Sequence, residues 1–215
     1  MILVPIKNLA NAKQRLSAVL DPEARQELAQ AMCEDVLDTL ARWQRRPPVM
    51  VVSSDSFVSG LGERLGFEIV DDDLNPGETG AIEMATALCR ERGIEYTLVI
   101  PADIPLIDSN ELDQILKSAP ASGSVLVTDS AGCGTNAALR APCDLFPLRF
   151  GNDSFRPHLA AAKATGLPCV VLELPGIAMD VDRPEDLHQL AAANGERRSQ
   201  RLVRSWNLDA QVCRG

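Results

Sequence analysis

Aromatic side chains are scarce: Phe, Trp and Tyr make up 4% of the 215 residues. A surface that stacks successive nucleobases needs more of them, so a single-strand nucleic-acid platform is disfavoured. Positive charge is also in deficit, with 21 Lys and Arg against 30 Asp and Glu and a formal net charge of −9. Gripping a nucleic-acid backbone takes a basic face, and none is expected. Histidine occurs twice, at His158 and His188, away from any cysteine cluster, which excludes a conventional zinc site. The six cysteines (Cys33, Cys89, Cys133, Cys143, Cys169, Cys213) form no C-x-x-C pair. Most sit in apolar contexts, where a free thiol packs as a small hydrophobe. No apolar run approaches the roughly 20 residues of a membrane span. The run Met1 to Pro5 has no basic region before it and no small-residue cleavage site after it, so it reads as a buried strand. The expectation is a cytoplasmic protein with reduced thiols and neither membrane nor nucleic acid as partner.

Several catalytic signatures are missing too. There is no G-x-G-x-x-G for a dinucleotide, no G-x-x-x-x-G-K-[ST] P-loop and no G-x-S-x-G nucleophile elbow. What is present is ordinary globular composition, 46% hydrophobic and 24% charged. A chain of this length buries roughly 70% of its unfolded surface without staples. Short apolar runs alternate with amphipathic segments. Strands are expected at Ile2–Ile6, Val49–Ser53, Phe67–Val70, Tyr96–Ile100, Ser124–Thr128 and Cys169–Leu174, with an extended Asn136–Leu139. Helices are expected from Pro22, capped by Asp21, to before Pro47, and over 58–65, 81–92, 109–118, 155–165 and 184–193. Such alternation predicts one α/β domain over residues 1–195, a mostly parallel sheet with helices on both faces. Ligands then bind beyond the carboxyl ends of the strands. Residues 196–215 form an Arg-rich extension of local charge +3 (five Arg, two acids), leaving −12 on the rest. It packs back on the acidic body, docks a second copy of the chain through Trp206 and Leu208, or binds polyanions.

Three constellations fall at predicted strand ends. Lys7, Lys13 and Arg15 follow the first strand and suit a polyphosphate, Arg gripping oxygens bidentately and Lys acting as a point charge; a merely solvated loop reads equally well. Asp103, in Pro101-Ala102-Asp103-Ile104-Pro105-Leu106, and the pair Asp180 and Asp182 offer hard oxygens for Mg²⁺. Turn formation and helix capping would explain each of these singly. Asp71-Asp72-Asp73 could also bind metal, but a solvated loop is the better reading. Gly132-Cys133-Gly134-Thr135-Asn136 and Phe150-Gly151-Asn152-Asp153-Ser154-Phe155 read as two anion-receptive turns, through Thr135 hydroxyl and amide and a helix start capped by Ser154.

These motifs together resemble the CofC-type guanylyltransferases of coenzyme F-420 biosynthesis. The likeness runs in order through Pro5-x-Lys7, Ala12-Lys13-x-Arg15-Leu16-Ser17, the Pro101–Leu106 segment, Gly134-Thr135-Asn136-Ala137, Phe150-Gly151-x-x-Ser154-Phe155-x-x-His158 and Asp180-Val181-Asp182, from residue 1 to about 190. It implies a Rossmann-like nucleotidyltransferase that joins GTP to a phosphorylated three-carbon acid, namely phosphoenolpyruvate, 2-phospho-L-lactate or 3-phospho-D-glycerate. It further implies hand-over of the product to a downstream deazaflavin transferase. Carried over by motif, Thr135, Gly151 and Ser154 contact the acceptor acid, and Asp103, Asp180 and Asp182 hold Mg²⁺. Lys7, Lys13 and Arg15 then lie near the triphosphate, and Gly77, Glu78 and Thr79 near the nucleotide. Two positions depart from the family pattern. Gly77-Glu78-Thr79-Gly80-Ala81 replaces its usual Gly-Leu-Asn, and Cys133 stands where Thr is common. Glu78 is the candidate reader of the guanine N–H donors. Competing readings are transfer to molybdopterin or a sugar phosphate, whose families carry a Gly-rich first loop absent here, or a nucleotide-binding protein without turnover.

Overall fold

Two strands, Ile2–Pro5 and Val49–Val52, are apolar throughout and buried at every position, which requires both faces to be covered, and the molecule is built around them. The computed structural model describes residues 1–72, 77–151 and 153–206. Asp73, Asn152, Leu208 and Cys213 lie outside the described residues. The strands are β1 (Ile2–Pro5), β2 (Val49–Val52), β3 (Glu68–Val70), β4 (Thr97–Val99), β5 (Gly123–Thr128), β6 (Thr135–Ala141) and β7 (Cys169–Leu172). They form one sheet in the order β3-β2-β1-β4-β6-β5-β7. The pairs β3–β2, β2–β1, β1–β4 and β5–β7 are parallel, whereas β6 runs antiparallel to both β4 and β5.

Order reverses beside β1: the chain runs outward to β3, then returns to place β4 on the other flank of β1. A crevice opens where such a reversal separates the loops that follow neighbouring strands. Here those loops are the one after Pro5 and the one after Val99. Antiparallel β6 adds a third contributor. Its register, Val99 opposite Ala138 and Thr128 opposite Thr135, brings its first residues to the edge where the parallel strands end.

The helices are α1 (Pro22–Arg42), α2 (Ser56–Arg64), α3 (Gly77–Glu91), α4 (Ser109–Ser118), α5 (Phe155–Ala164), α6 (Pro175–Ala178), α7 (Pro184–Ala192) and α8 (Arg198–Ser205). Side chains alternate across a strand, so Ile2 and Val4 meet α1, α2 and α4 on one face through Val36, Val58 and Ile115. Leu3 and Met50 meet α3 and α5 on the other through Ile82 and Ala162. Several starts are fixed by carboxylate caps: Asp21 accepts from Ala24 N, Asp55 from Phe57 N and Val58 N, and Asp108 from Asn110 N and Glu111 N.

The first part of the Arg-rich segment packs against the body of the protein. Val203 and Trp206 pack with Leu28 and Met32 of α1 and Leu190 of α7. Asp35 of α1, 3% exposed, accepts from Arg198 N at 3.0 Å, Ser199 N at 2.9 Å and Ser199 Oγ at 2.6 Å. It thus supplies acceptors to N–H groups at the α8 N-terminus that have no partner within the helix. The five described cysteines are free thiols. No described helix is long and apolar enough to cross a membrane.

Candidate active site

The loop after β1 is shaped by backbone bonds before its charges matter. Asn8 accepts from Ala10 N at 2.9 Å, starting a 3-10 turn over Leu9–Asn11. The α2 cap Asp55 also accepts from Leu9 N at 2.9 Å, tying this loop to the segment beyond β2. Lys13 then adopts a left-handed backbone, φ 53° and ψ 41°, a conformation that costs a non-glycine residue about 1–2 kcal/mol. Its ammonium lies 2.8 Å from Asp103 Oδ2 and 2.8 Å from Asp182 Oδ1. Arg15 donates to the other oxygen of Asp182 at 3.2 Å. Asp182 is itself held by its backbone, since Asp186, in the first turn of α7, accepts from Asp182 N and Arg183 N at 2.9 and 2.7 Å. Asp103 O accepts from Val181 N at 3.1 Å, which clips the two carboxylate loops together.

Electrostatics follow from this geometry. Burial alone would lower the Lys13 pKa, but the Asp103 and Asp182 charges outweigh it and hold the ammonium above its ordinary value. Burial likewise pushes Asp182 up, and Lys13 with Arg15 brings it below the usual carboxylate range. Asp180 is different: burial raises it, Asp103 and Asp182 raise it further, and a bond from Asn136 Nδ2 at 3.1 Å only partly opposes them. Glu78, at the start of α3, is pushed up to about 7 by burial and then by Asp103. Cations and carboxylates, read in sequence as separate groups, are one interleaved network.

One expectation needs correction. Asp71-Asp72-Asp73 does not behave as a solvated run: Asp71 is exposed, but Asp72 is 2% exposed and forms an ion pair with Lys7. A buried carboxylate beside a cation is strongly favoured to keep it, so Lys7 arrives at the edge with its counter-ion.

Two cavities flank the network. One, of about 480 Å³, is lined by Lys7, Asn8, Asp72 and Gly77 among others. The second, of about 590 Å³, is lined by Arg15, Thr135, Gly151, Ser154, Asp180 and Asp182 among others. They meet at Glu78, Pro101 and Asp103, which line both. Thr79 is the one sequence-derived site residue placed apart. It lines neither cavity, and its hydroxyl accepts from Phe150 N at 3.2 Å.

The turns facing the second cavity also differ from expectation. The backbone amides of Cys133 and Gly134 are not open to an anion, because Asp129 accepts from both at 2.8 Å. A Cβ at Gly134 would lie 2.7 Å from Asp129 Oδ2, so any side chain there would have to displace that carboxylate. Nor is the Thr135 amide open: it donates to Ser154 Oγ at 3.0 Å, so Ser154 closes the turn on β6 instead of capping α5. Sequence reasoning gave Asp129 and Asp186 no part in the site, set Asp72 aside as a solvated residue and named Asn136 only as part of a turn motif. Only Asp186 left a readable signal, an acid at the third position of a helix that opens with proline.

Among the described residues, no three Asp, Glu, His or Cys side chains enclose a metal by themselves. Mg²⁺ does not require such a cage, being commonly held by one or two carboxylates with water and substrate phosphates completing the shell. Asp103, Asp180 and Asp182 offer hard oxygens, and burial, followed by the Asp103 and Asp182 charges, raises Asp180. The donor set fits that ion.

Against known proteins, a family model described as guanylyl transferase CofC like matches residues 1–215, including the Arg-rich segment that the motifs left out. The phosphoenolpyruvate guanylyltransferase of Conexibacter woesei is 34% identical over 198 residues, 91% of this chain and 89% of that protein. The 2-phospho-L-lactate guanylyltransferase of Methanothermobacter thermautotrophicus is 30% identical, covering 99% and 93%. The 3-phospho-D-glycerate guanylyltransferase of Colwellia psychrerythraea is 30% identical, covering 88% and 90%. Among solved structures, a provisionally assigned nucleotide-diphospho-sugar transferase from Desulfovibrio desulfuricans shares the fold, with a TM-score of 0.80 over 98% of this chain and 96% of that one at 18% identity.

Proposed function

The chain belongs to the CofC-like guanylyltransferase family, and on that basis we propose that it transfers GMP from GTP to the phosphate of a three-carbon phosphorylated acid. The acid is of the class named for its relatives: phosphoenolpyruvate, 2-phospho-L-lactate or 3-phospho-D-glycerate. The observation that carries this reading is the pair of cavities meeting at Asp103, with the Lys13 ammonium beside it. GTP occupies the first cavity, with its triphosphate toward Lys7 and Lys13. The acid occupies the second, against Thr135, Gly151 and Ser154.

An acceptor phosphate oxygen attacks the α-phosphorus in line. A new P–O bond forms, the bond from the α-phosphorus to the bridging oxygen breaks, and pyrophosphate leaves with that electron pair. A phosphate is already ionised at neutral pH, so no general base is needed. Catalysis reduces to alignment and charge neutralisation. Lys13 supplies one fixed positive charge at the junction, and Arg15 a second from the acceptor side. The carboxylates of Asp103, Asp180 and Asp182 would hold Mg²⁺, which when bound neutralises phosphate oxygens of both substrates. Glu78, which lines both cavities, is the candidate acceptor for the guanine N–H groups. The product is a mixed phosphoanhydride, suited to hand-over to a deazaflavin transferase in coenzyme F-420 biosynthesis.

The test is pyrophosphate release from GTP, Mg²⁺ and each acid in turn, with the product identified by mass. Release with one of the acids and a product heavier by GMP supports the reading. No release with any of them, but turnover with a sugar phosphate or molybdopterin, would replace the acceptor class. Nucleotide binding without turnover would leave a binding protein.

A further inference from the structure

His158 is buried on α5, 1% exposed, and plays no part in the chemistry above. Its two ring nitrogens have unlike partners. A backbone amide can only donate, so the Arg149 N–H, 2.7 Å from Nε2, requires Nε2 to be an unprotonated acceptor. A neutral ring then carries its proton on Nδ1, which lies 2.9 Å from Thr135 Oγ1. The Thr135 hydroxyl oxygen is therefore the acceptor in that contact, and its own proton must point elsewhere. The same logic applies to the neighbouring hydroxyl, where Ser154 Oγ accepts from Thr135 N at 3.0 Å. Among the described residues neither hydroxyl proton has a protein acceptor, and both side chains line the second cavity.

From this geometry we infer that His158 is a positioning residue, fixed as the Nδ1–H tautomer, which turns the Thr135 hydroxyl proton toward the carboxylate or phosphate of the acceptor acid. This rests on the assignment of the second cavity to the acceptor. An undirected hydroxyl could offer a lone pair to the incoming anion and repel it; one whose oxygen already receives a hydrogen bond presents its proton. Thr135 and Ser154 are thus two donors aimed by the protein, and charge-assisted hydrogen bonds of that kind are about twice as strong as neutral ones. The ring is held still by Phe150, edge-on with centroids 5.2 Å apart at 63°. Burial, and then the Arg140 charge, lower its pKa to about 4, so it is neutral at pH 7.

Two isosteres separate the two ring nitrogens. In His158→Asn the amide N–H replaces Nδ1–H and keeps the bond to Thr135. In His158→Gln the amide oxygen replaces Nε2 and keeps the bond from Arg149, but the donor to Thr135 is lost. We expect His158→Gln to raise the acceptor-acid KM tenfold or more with the GTP KM within twofold of wild type. His158→Asn should stay within threefold for both. Thr135→Val should raise the acceptor KM similarly, and adding His158→Gln to it should cost nothing further. Equal effects of Asn and Gln at 158 would overturn the inference while leaving the cavity assignment standing. An unchanged acceptor KM in Thr135→Val would overturn the cavity assignment, and the inference with it. Because substitutions at a buried site can unfold it, the ¹⁵N spectrum of histidine-labelled protein supplies a direct readout. The chain has two histidines, and His188→Gln, at an exposed position on α7, leaves the His158 signals alone. The Nδ1–H tautomer at pH 7 supports the inference; an Nε2–H tautomer or an imidazolium refutes it.

Discussion

Replacing Lys13 by methionine removes one charge from the junction while keeping nearly the same length, and the structure gives the consequence in two observables. Breaking a fully buried ion pair by deleting one partner costs about 3–5 kcal/mol. Here the side chains of Asp103 and Asp182 are 33% and 35% exposed, and solvent screening reduces the loss to about 1–3 kcal/mol. For a chain of this size that is a fall in Tm of about 3–10 °C at pH 7.5. The acid side carries the sharper signal. In the wild type the Asp182 pKa is depressed below its ordinary value of 3.8. Its contribution is therefore present above that value and disappears only as pH falls through the lower folded-state pKa. The raised Lys13 pKa leaves its own contribution constant at any pH well below its ordinary 10.5. In Lys13→Met the Asp182 carboxylate faces Asp103 without the ammonium that depressed its pKa, that folded-state pKa rises, and folding takes up a proton. The variant should gain stability as pH falls from 7 toward 5, whereas this pair gives the wild type no such gain. Turnover should fall about 10³-fold, on the scale of a cation removed from a transferring phosphoryl group. Thermal melts across pH 5–8 and a pyrophosphate assay measure both. A kcat within tenfold of wild type, or parallel pH dependences, would show that Lys13 does not neutralise the junction.

Asp103→Asn keeps shape but removes the charge shared by both cavities; kcat in the pyrophosphate assay should drop at least about 10³-fold, with GTP binding by calorimetry retained. Glu78→Ala should erase the preference for GTP over ATP and CTP in competition assays, and an intact preference would place guanine recognition elsewhere. Asp35→Ala leaves Arg198 N, Ser199 N and Ser199 Oγ without their acceptor. At about 1 kcal/mol or more for each, Tm should fall by about 6–12 °C, and limited proteolysis should release the C-terminal segment. Folding favours neutral His158, because burial, and then the Arg140 charge, drop its pKa from 6.5 to about 4, with Phe150 as the facing ring. Stability from this ring is complete above pH 6.5 and is lost as pH falls through about 4, a span on the order of 3 kcal/mol. Denaturant melts should show this loss in the wild type and its absence in His158→Gln.

The periodicities that define strands and helices are local, and the chain carries them openly. Asp21 before Pro22 marks a helix start, and Ser109–Ser118 was readable to the residue, because caps and apolar spacing act within one or two turns. Alternation of the two element types was enough for an α/β sheet, and the loops after β1 and β4 could be named as the place for chemistry. Family resemblance then tied Thr135, Ser154 and the three aspartates to one site. What local patterning could not express was direction and pairing. Nothing in Asn136–Leu139 says that β6 runs antiparallel, yet that reversal delivers Thr135 to the functional edge. The run at 71–73 looks hydrophilic because residue type reports average solvation, whereas Asp72 is buried by a partner 65 positions away. Glycines and hydroxyls in the two turns looked ready for anions, but Asp129 and Ser154 had already taken the amides. His158 stood in a recognisable motif without a role, since a tautomer is set by which donor and acceptor reach each nitrogen. Long-range hydrogen bonds and ion pairs choose among the many partners that a sequence permits, and here that choice determines which polar groups remain to meet substrate.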